Sequence, residues 1–343
     1  MKVIVDDKIP YIRGQIEQLA DEVTYLTGSA ISREDVHNAD VLIVRTRTRC
    51  DRSLLEGSKV KLIVTATIGY DHIDTDYCES AGIRWANCPG CNANSVCRYV
   101  HHALEATGRL NPTMTVGVVG VGHVGTLVAA DLEQCGMKVL LCDPPRDDAH
   151  DDVEGHPFVA LSTIQQEADI ITFHTPLTKE GPNATYHMAD ERFLQSLTRR
   201  PIIVNTSRGA VVDNDALLRA LCSGRVRQAV LDVWEDEPHV NLDLLNKVYI
   251  GTPHIAGYSA DGKVNADNMV IEGLCRHFGL ENRWHIEPPA IDIELSATDT
   301  TDDQYLRYYN PLTDSQKLKN APSDFELLRG NYPVRRECSF KKP

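Results

Sequence analysis

An α/β architecture with parallel sheets wound on both faces is what this chain predicts, and three observations predict it. Short apolar runs recur along the sequence with amphipathic stretches between them, the spacing of repeated βα units. One run, Val116-Gly117-Val118-Val119, leads straight into Gly120-Val121-Gly122-His123-Val124-Gly125. Three polar residues, Arg208, Glu237 and His254, each stand just past an apolar run. Ligands of a parallel sheet bind outside the carboxyl ends of its strands, so these three can reach one crevice.

Taken in order, Val3–Val5, Val41–Val44 and Lys61–Thr65 are strand candidates separated by amphipathic helices. They make a small α/β unit of the first ninety or so residues. Asn92-Ala93-Asn94-Ser95 supplies cap residues for a long helix to about Thr107, which Asn111-Pro112 ends. The glycine loop follows, then an apolar-periodic helix from Thr126 to Gln134 and a strand from Lys138 to Cys142 that ends in Asp143. This order is the Rossmann βαβ signature. Gly120 permits the tight turn, Gly122 lets backbone amides approach a pyrophosphate, and Gly125 lets helix and strand pack closely. The helix N-terminus stabilises the phosphate charge. Asp143 suits the ribose hydroxyls and repels a 2′-phosphate, which favours NAD over NADP; Arg146 nearby weakens that preference. Further units, at Asp169–Phe173, Pro201–Val204 and Gln228–Asp232, carry the pattern to about Pro253. A helical stretch from Tyr258 to about Phe278 returns the chain to the first domain. From Glu281 the composition changes to Pro-, Thr/Asp- and Tyr-rich, which marks a separate small segment.

A chain of 343 residues holds two or three domains. With 42% hydrophobic and 24% charged residues it is an ordinary globular composition. The net charge of -14 argues against nucleic acid or an anionic membrane surface as a partner, and requires a local basic cluster for any anionic substrate. No signal-like start and no run of membrane-spanning length is present, and ten irregularly spaced cysteines read as reduced thiols of the cytoplasm. Cys88-Pro89-Gly90-Cys91, with Cys97, His101 and His102 beyond, admits a redox pair or a zinc site. No second C-x-x-C completes a zinc set, and Pro89-Gly90 is a turn dipeptide, so a structural loop is the expectation and no metal is expected.

Arg208, Glu237 and His254 together supply a cation, a carboxylate and an imidazole. That set can clamp a substrate carboxylate and move a proton at an alcohol carbon. Singly each has a bland reading: a surface charge, a Glu-Pro turn, a capped loop histidine. Their shared position at strand ends makes the functional reading the better one.

These residues resemble the D-isomer-specific 2-hydroxyacid dehydrogenase family. The resemblance rests on Gly69-Tyr70-Asp71-His72-Ile73-Asp74, the glycine loop, His174-Thr175-Pro176-Leu177 and Asn205-Thr206-Ser207-Arg208-Gly209. Asp232 through Pro238 and Thr252-Pro253-His254-Ile255-Ala256-Gly257 extend it. Val5–Tyr11, Val44-Arg45-Thr46, Thr65-Ala66-Thr67, Pro89–Ala93, Asp143–Arg146, Tyr258-Ser259 and the tail from Phe325 to Glu337 are similar to one subfamily. It implies a Rossmann domain at 93–256, a flavodoxin-like substrate (lid) domain at 1–92 plus 257–285, and a C-terminal α+β dimerisation domain at 286–343. It also implies a homodimer with the active site between two domains, hinged near 90–95 and 255–260. The implied reaction is NAD-dependent oxidation at C2 of a small phosphorylated 2-hydroxy acid, within pyridoxal 5′-phosphate synthesis. His254 is then the acid/base, Glu237 its partner and Arg208 the carboxylate clamp. Cofactor contacts fall on Gly120, Gly122, His123, Val124, Gly125, Asp143, Thr175, Thr206, Ser207, Arg208, Asp232 and Gly257. Substrate contacts fall on Thr46, Thr67 and Tyr258, with Arg45 as a phosphate partner; if the strand continues, Arg45, Arg47 and Arg49 share one face. His123 departs from an expected asparagine, and the tail is short for the subfamily. Two alternatives remain: another dehydrogenase of the family, of phosphoglycerate dehydrogenase or glyoxylate reductase type, and an NAD-sensing binding protein of corepressor type.

Overall fold

The computed structural model describes residues 1–151, 153, 155–290 and 309–337. The chain runs β1 (Lys2–Asp6), β2 (Glu22–Leu26), α1 (Arg33–Val36), β3 (Val41–Val44), α2 (Arg52–Leu55), β4 (Leu62–Thr65), α3 (Thr75–Ser80) and β5 (Arg84–Ala86). Then come α4 (Ala93–Ala106), β6 (Thr115–Val119), α5 (His123–Gln134), β7 (Lys138–Cys142), α6 (Pro144–Asp148), α7 (Leu161–Glu167) and β8 (Ile170–Phe173). The remainder is α8 (Glu191–Ser196), β9 (Ile202–Asn205), α9 (Asn214–Cys222), β10 (Gln228–Leu231), α10 (Leu242–Lys247), β11 (Ile250–Gly251), α11 (Ala260–Phe278), α12 (Pro311–Asn320) and α13 (Phe325–Gly330).

Two compact units divide these elements. Among the described residues one comprises Met1–Asn92 with 258–290 and 334–337, and the other Ala93–Gly257 with 309–333.

In the first unit five parallel strands lie in the order β2-β1-β3-β4-β5. The chain leaves β1 toward β2 and resumes on the other side at β3, so the topological switch point lies between β1 and β3. β3 and β4 are wholly buried, as continuous apolar runs covered on both faces must be. Val3, Val5, Val41, Ile43, Leu62 and Val64 pack with α11 residues such as Val264, Val270 and Leu274. Ile4, Leu42, Val44 and Ile63 face Val36, Leu54, Leu55 and Cys78 on the opposite side. Ser259 caps α11 by accepting the Gly262 N–H, and Gly279 closes it with φ of 66°.

The second unit holds six parallel strands in the order β11-β10-β9-β8-β6-β7, with its switch point between β6 and β8. Period-2 alternation sends Ile170, Ile202, Val204 and Val230 to one core, with α4 and α5. It sends Ile171, Phe173, Ile203 and Leu231 to the other, with Ile164, Phe193, Leu217 and Leu244. Asp190, Asp213 and Asn241 cap α8, α9 and α10 through backbone N–H groups one turn on.

Two expectations change. α5 begins at His123, not Thr126, because the last glycine of the loop lies inside the helix's first turn. β3 ends at Val44, so Arg45, Arg47 and Arg49 do not share a strand face; residues 46–47 turn and the Thr48 hydroxyl is drawn to the Gly28 carbonyl at 3.0 Å. Of the C-terminal α+β domain expected at 286–343, residues 291–308 and 338–343 lie outside the described residues, and the described part holds α12 and α13. α12 and α13 bury Leu318 and Phe325 in the second unit's core, and Ser315 Oγ accepts the Gly251 N–H at 3.0 Å, covering the edge strand β11. Among the described residues no helix is long and apolar enough to cross a membrane.

Candidate active site

Strand register sets the second unit's carboxyl edge. Asn205, Leu231 and Gly251 stand side by side at the ends of β9, β10 and β11. From there the chain continues to Arg208, Glu237 and His254 respectively.

His254 and Glu237 meet directly: Nδ1 lies 2.8 Å from Oε2. The other carboxylate oxygen accepts the Trp234 N–H at 2.9 Å. Burial alone would raise the Glu237 carboxyl. The hydrogen bond and charge of His254, the Trp234 N–H and Arg329 outweigh it and hold the group below its ordinary value. An ionised carboxylate only accepts, so Nδ1 carries the proton it donates and Nε2 is the basic nitrogen.

Asp232 aims the histidine. Its Oδ1 accepts the Thr252 hydroxyl at 2.6 Å and the Ile255 N–H at 2.8 Å, and its Oδ2 accepts the Ala256 N–H at 2.9 Å. Its backbone carbonyl takes the His254 N–H at 2.8 Å. Burial, above all, pushes this carboxyl up, against His254 and those donors. His254 itself sits at φ of 57°, a left-handed conformation that a non-glycine residue holds only when its surroundings enforce it. Of the four lone-pair sites on Asp232, one remains for a carboxamide N–H.

Arg208 is placed by its neighbours. Asn205 donates Nδ2 to the Arg208 carbonyl at 2.9 Å and accepts the Ser207 N–H and hydroxyl at 3.1 and 2.9 Å. At Gly209 a Cβ would lie 1.9 Å from the Trp234 carbonyl oxygen, so only glycine lets this turn press against the segment leading to Glu237. The Arg208 Nη1 donates to the Ser207 carbonyl at 2.8 Å.

The glycine loop lies at the switch point. Gly120 adopts φ of 86°, and a Cβ there would meet the His174 carbonyl carbon and Thr175 Cγ2, each at 2.8 Å. A Cβ on Gly125 would fall 2.0 Å from the Gly120 oxygen. At Gly122, in contrast, a Cβ would meet nothing within 4 Å. No side chain caps α5, so His123, Val124 and Gly125 open a helix whose first N–H groups are available to a phosphate. Thr175 Oγ1 is buried with no partner among the described residues. An open glycine, an uncapped helix start and an orphaned hydroxyl beside them fit a dinucleotide. Thr206 Oγ1 lies 3.4 Å from His174 Nδ1, whose Nε2 lies 2.9 Å from Thr172 Oγ1. Burial pushes that imidazole down to about 3, so it stays neutral and holds Thr206 in place. Gly257 follows the Asp232-bound turn.

Asp143 is more occupied than the sequence suggests. It accepts the Val121 N–H at 2.8 Å and the Arg146 N–H at 3.3 Å, which ties β7 to the glycine loop and leaves lone pairs for a ribose. Arg146 donates to the Val121 carbonyl at 2.6 Å and to Asp151 at 2.7 Å, so it is committed locally.

In the first unit Arg45, Thr46, Thr67 and Tyr258 stand near the ends of β3 and β4 and just before α11. Arg45 Nη1 donates to the Lys8 carbonyl at 3.0 Å, Thr46 is exposed, and Tyr258 is half-buried. The Thr67 hydroxyl donates to the Gly69 carbonyl at 2.8 Å and lies 2.7 Å from Thr65 Oγ1, which His72 Nε2 meets at 3.1 Å. Arg49 pairs with Asp51 at 2.9 Å and Arg47 is exposed. Cys88 and Cys91 are buried free thiols; burial, first of all, pushes the Cys91 thiol up to about 12 and Cys88 still higher. Asn205, His174, His72 and Trp234 are positioning residues that lie inside the motifs quoted above but to which the sequence assigns no role.

Residues 97–256 match the family model described as the NAD binding domain of D-isomer specific 2-hydroxyacid dehydrogenases. The chain is 54% identical over 341 residues to the erythronate-4-phosphate dehydrogenase of Bacteroides fragilis, covering 98% of this chain and 97% of that one. It is 51% identical, with the same coverage, to the erythronate-4-phosphate dehydrogenase of Bacteroides thetaiotaomicron. The D-lactate dehydrogenase of Aquifex aeolicus, solved with NAD and lactic acid, superposes with a TM-score of 0.65 at 26% identity, covering 81% of this chain and 96% of that one. The chain is an NAD-dependent dehydrogenase and belongs, with the erythronate-4-phosphate dehydrogenases, to the D-isomer specific 2-hydroxyacid dehydrogenase family.

Proposed function

We propose that this protein oxidises 4-phospho-D-erythronate at C2 to 2-oxo-3-hydroxy-4-phosphobutanoate, a step of pyridoxal 5′-phosphate biosynthesis. The Nδ1–Oε2 pair of 2.8 Å between His254 and Glu237 carries the chemical part of this reading. The relatives above, alike over nearly the whole chain, support the substrate.

NAD, held by the residues assigned to it below, would supply the acceptor for the C2 hydride. Nε2 of His254 takes the C2 hydroxyl proton as that hydride departs, and the proton rests on an imidazolium. Glu237 stabilises that charge and holds the ring in the tautomer with Nε2 free. Arg208 clamps the substrate carboxylate as a two-pronged donor and polarises the C2 oxygen. Thr46, Thr67 and Tyr258, with Arg45, are assigned to the remainder of the substrate. Gly120, Gly122, His123, Val124, Gly125, Asp143, Thr175, Thr206, Ser207, Asp232 and Gly257 are assigned to NAD.

Replacing His254 with Ala tests the chemistry. Turnover of 4-phosphoerythronate, with a 2-oxo acid supplied to reoxidise the cofactor, is expected to fall by ~100-fold or more while NAD binding persists. Unchanged turnover removes His254 from the mechanism. Wild-type preference for 3-phosphoglycerate would instead move the assignment to another member of the family, and NAD binding without turnover of any 2-hydroxy acid would favour the sensing role.

We further infer a homodimer in the cytoplasm. The resemblance of the tail supports the first, and the nine described cysteines, all free thiols, suit a reducing compartment. Sedimentation velocity of the purified chain decides the oligomer: a monomer at micromolar concentration would refute the dimer.

A further inference from the structure

A net charge of -14 repels a substrate carrying both a carboxylate and a phosphate, so phosphate capture needs local cations that no protein acid has neutralised. Arg208 is assigned to the carboxylate. The phosphate therefore needs a second basic site, and the first unit's sheet has one at its switch point.

Asp6, at the end of β1, accepts the Lys8 N–H at 2.9 Å and so shapes the loop after that strand. The Lys8 carbonyl in turn anchors Arg45, at the end of β3. The guanidinium therefore straddles the ends of β1 and β3, where open α/β sheets bind ligands. Lys263 approaches from the first turn of α11, a helix that packs on this sheet. Its Nζ lies 5.1 Å from the centre of the Tyr258 ring, a cation–π contact.

The loop after β1 brings the two cations to one place: its Lys8 carbonyl holds Arg45, and three residues on its Tyr11 N–H binds Asp267, one turn beyond Lys263 on α11. Burial, and after it the charge of Arg45, push the Lys263 ammonium below its ordinary value. Asp267, one turn further along α11, is the acid that faces both. It is 1% exposed, accepts the Tyr11 N–H at 3.1 Å, and is pushed up to about 7, chiefly by burial. Near neutral pH it carries only part of a charge. Among the described residues no carboxylate forms an ion pair with Arg45 or Lys263. Two half-buried like charges at one end of a sheet cost free energy until an anion joins them.

We propose that Lys263 and Arg45 form the clamp for the substrate's phosphate, with Tyr258 packed against the lysine. The clamp rests on the reading of the substrate given above. Arg45 is expected from the sequence; Lys263 is the new residue, and it is a specificity-determining one: it recognises the group that sets this substrate apart from lactate or glycerate-type acids.

The test uses the full-length enzyme with NAD, comparing wild type with Lys263→Met and Lys263→Arg on 4-phosphoerythronate and on unphosphorylated erythronate. Inorganic phosphate serves as the competing probe. Lys263→Met should lose about 10- to 100-fold in kcat/KM on the phosphorylated acid, mainly through KM, as loss of a charge-assisted contact would. Its rate on erythronate and its NAD affinity should stay at wild-type values, and inhibition by inorganic phosphate should disappear. Lys263→Arg should recover a large part of the loss, which packing alone would not explain. If Lys263→Met keeps both the wild-type kcat/KM and the phosphate inhibition, the clamp is refuted. If the wild type itself shows no preference for the phosphorylated acid, the substrate reading fails before the clamp is reached.

Discussion

Replacing Glu237 with Gln tests the acid/base pair with almost no change of shape. One carboxylate oxygen meets His254 Nδ1 at 2.8 Å and the other meets the Trp234 N–H at 2.9 Å. A glutamine keeps the second contact through its carbonyl oxygen, and this commits its NH₂ to the histidine. Nδ1 must then accept, so the ring proton moves to Nε2, the nitrogen that should take the substrate proton. The variant also loses the negative charge that stabilises the imidazolium. A hydrogen bond to a charged group contributes ~1.5–3 kcal/mol. At about 1.36 kcal/mol per decade this predicts a fall of about 10- to 150-fold in kcat. NADH absorbance in a steady-state assay reads the rate, and a thermal melt with a NAD titration confirms that fold and cofactor binding are intact. A kcat within about twofold of wild type would refute the tautomer argument, because so small a change in barrier leaves no room for a lost contact of that size.

Two further outcomes follow from the same geometry. Gly125→Ala drives a Cβ to 2.0 Å from the Gly120 carbonyl oxygen, a backbone atom that cannot yield without opening the glycine turn. It should cost about 1–3 kcal/mol and weaken NAD binding, and an unaltered melting temperature with a full NAD-induced shift would contradict this. Glu237 also links stability to acidity: its carboxyl titrates lower in the folded protein than in the unfolded chain, where the value is about 4.3. Its contribution is present above that value and drains away as pH falls through the folded one. The stability difference between wild type and Glu237→Gln should therefore shrink as urea titrations move from about pH 7 toward about pH 3, and a difference that grows in acid would reverse the assigned direction.

The strands and the catalytic trio were legible because both are written locally. Strands covered on both faces demand unbroken apolar runs, and Arg208, Glu237 and His254 each punctuate one. The supporting residues were not. Asp232 reads as a strand-end acid, yet its two oxygens bind N–H groups of Ile255 and Ala256, contacts that exist only once β10 and β11 are paired. His174 gains its role by lying between Thr172 and Thr206, on neighbouring strands. The alternation of Arg45, Arg47 and Arg49 misled, because a period of two has meaning only while the chain stays extended, and β3 stops at Val44. Lys263 is one lysine in a mixed helix; only the switch-point geometry singles it out.

Arg208, Glu237 and His254 all belong to one compact unit, whereas Arg45, Thr46, Thr67, Tyr258 and Lys263 all belong to the other. On the proposed assignment, hydride chemistry and choice of acid are encoded in separate pieces of chain. Evolution, or an engineer, can therefore rewrite what the enzyme accepts by editing the unit that holds Arg45 and Lys263 while leaving His254 and Glu237 in the other untouched.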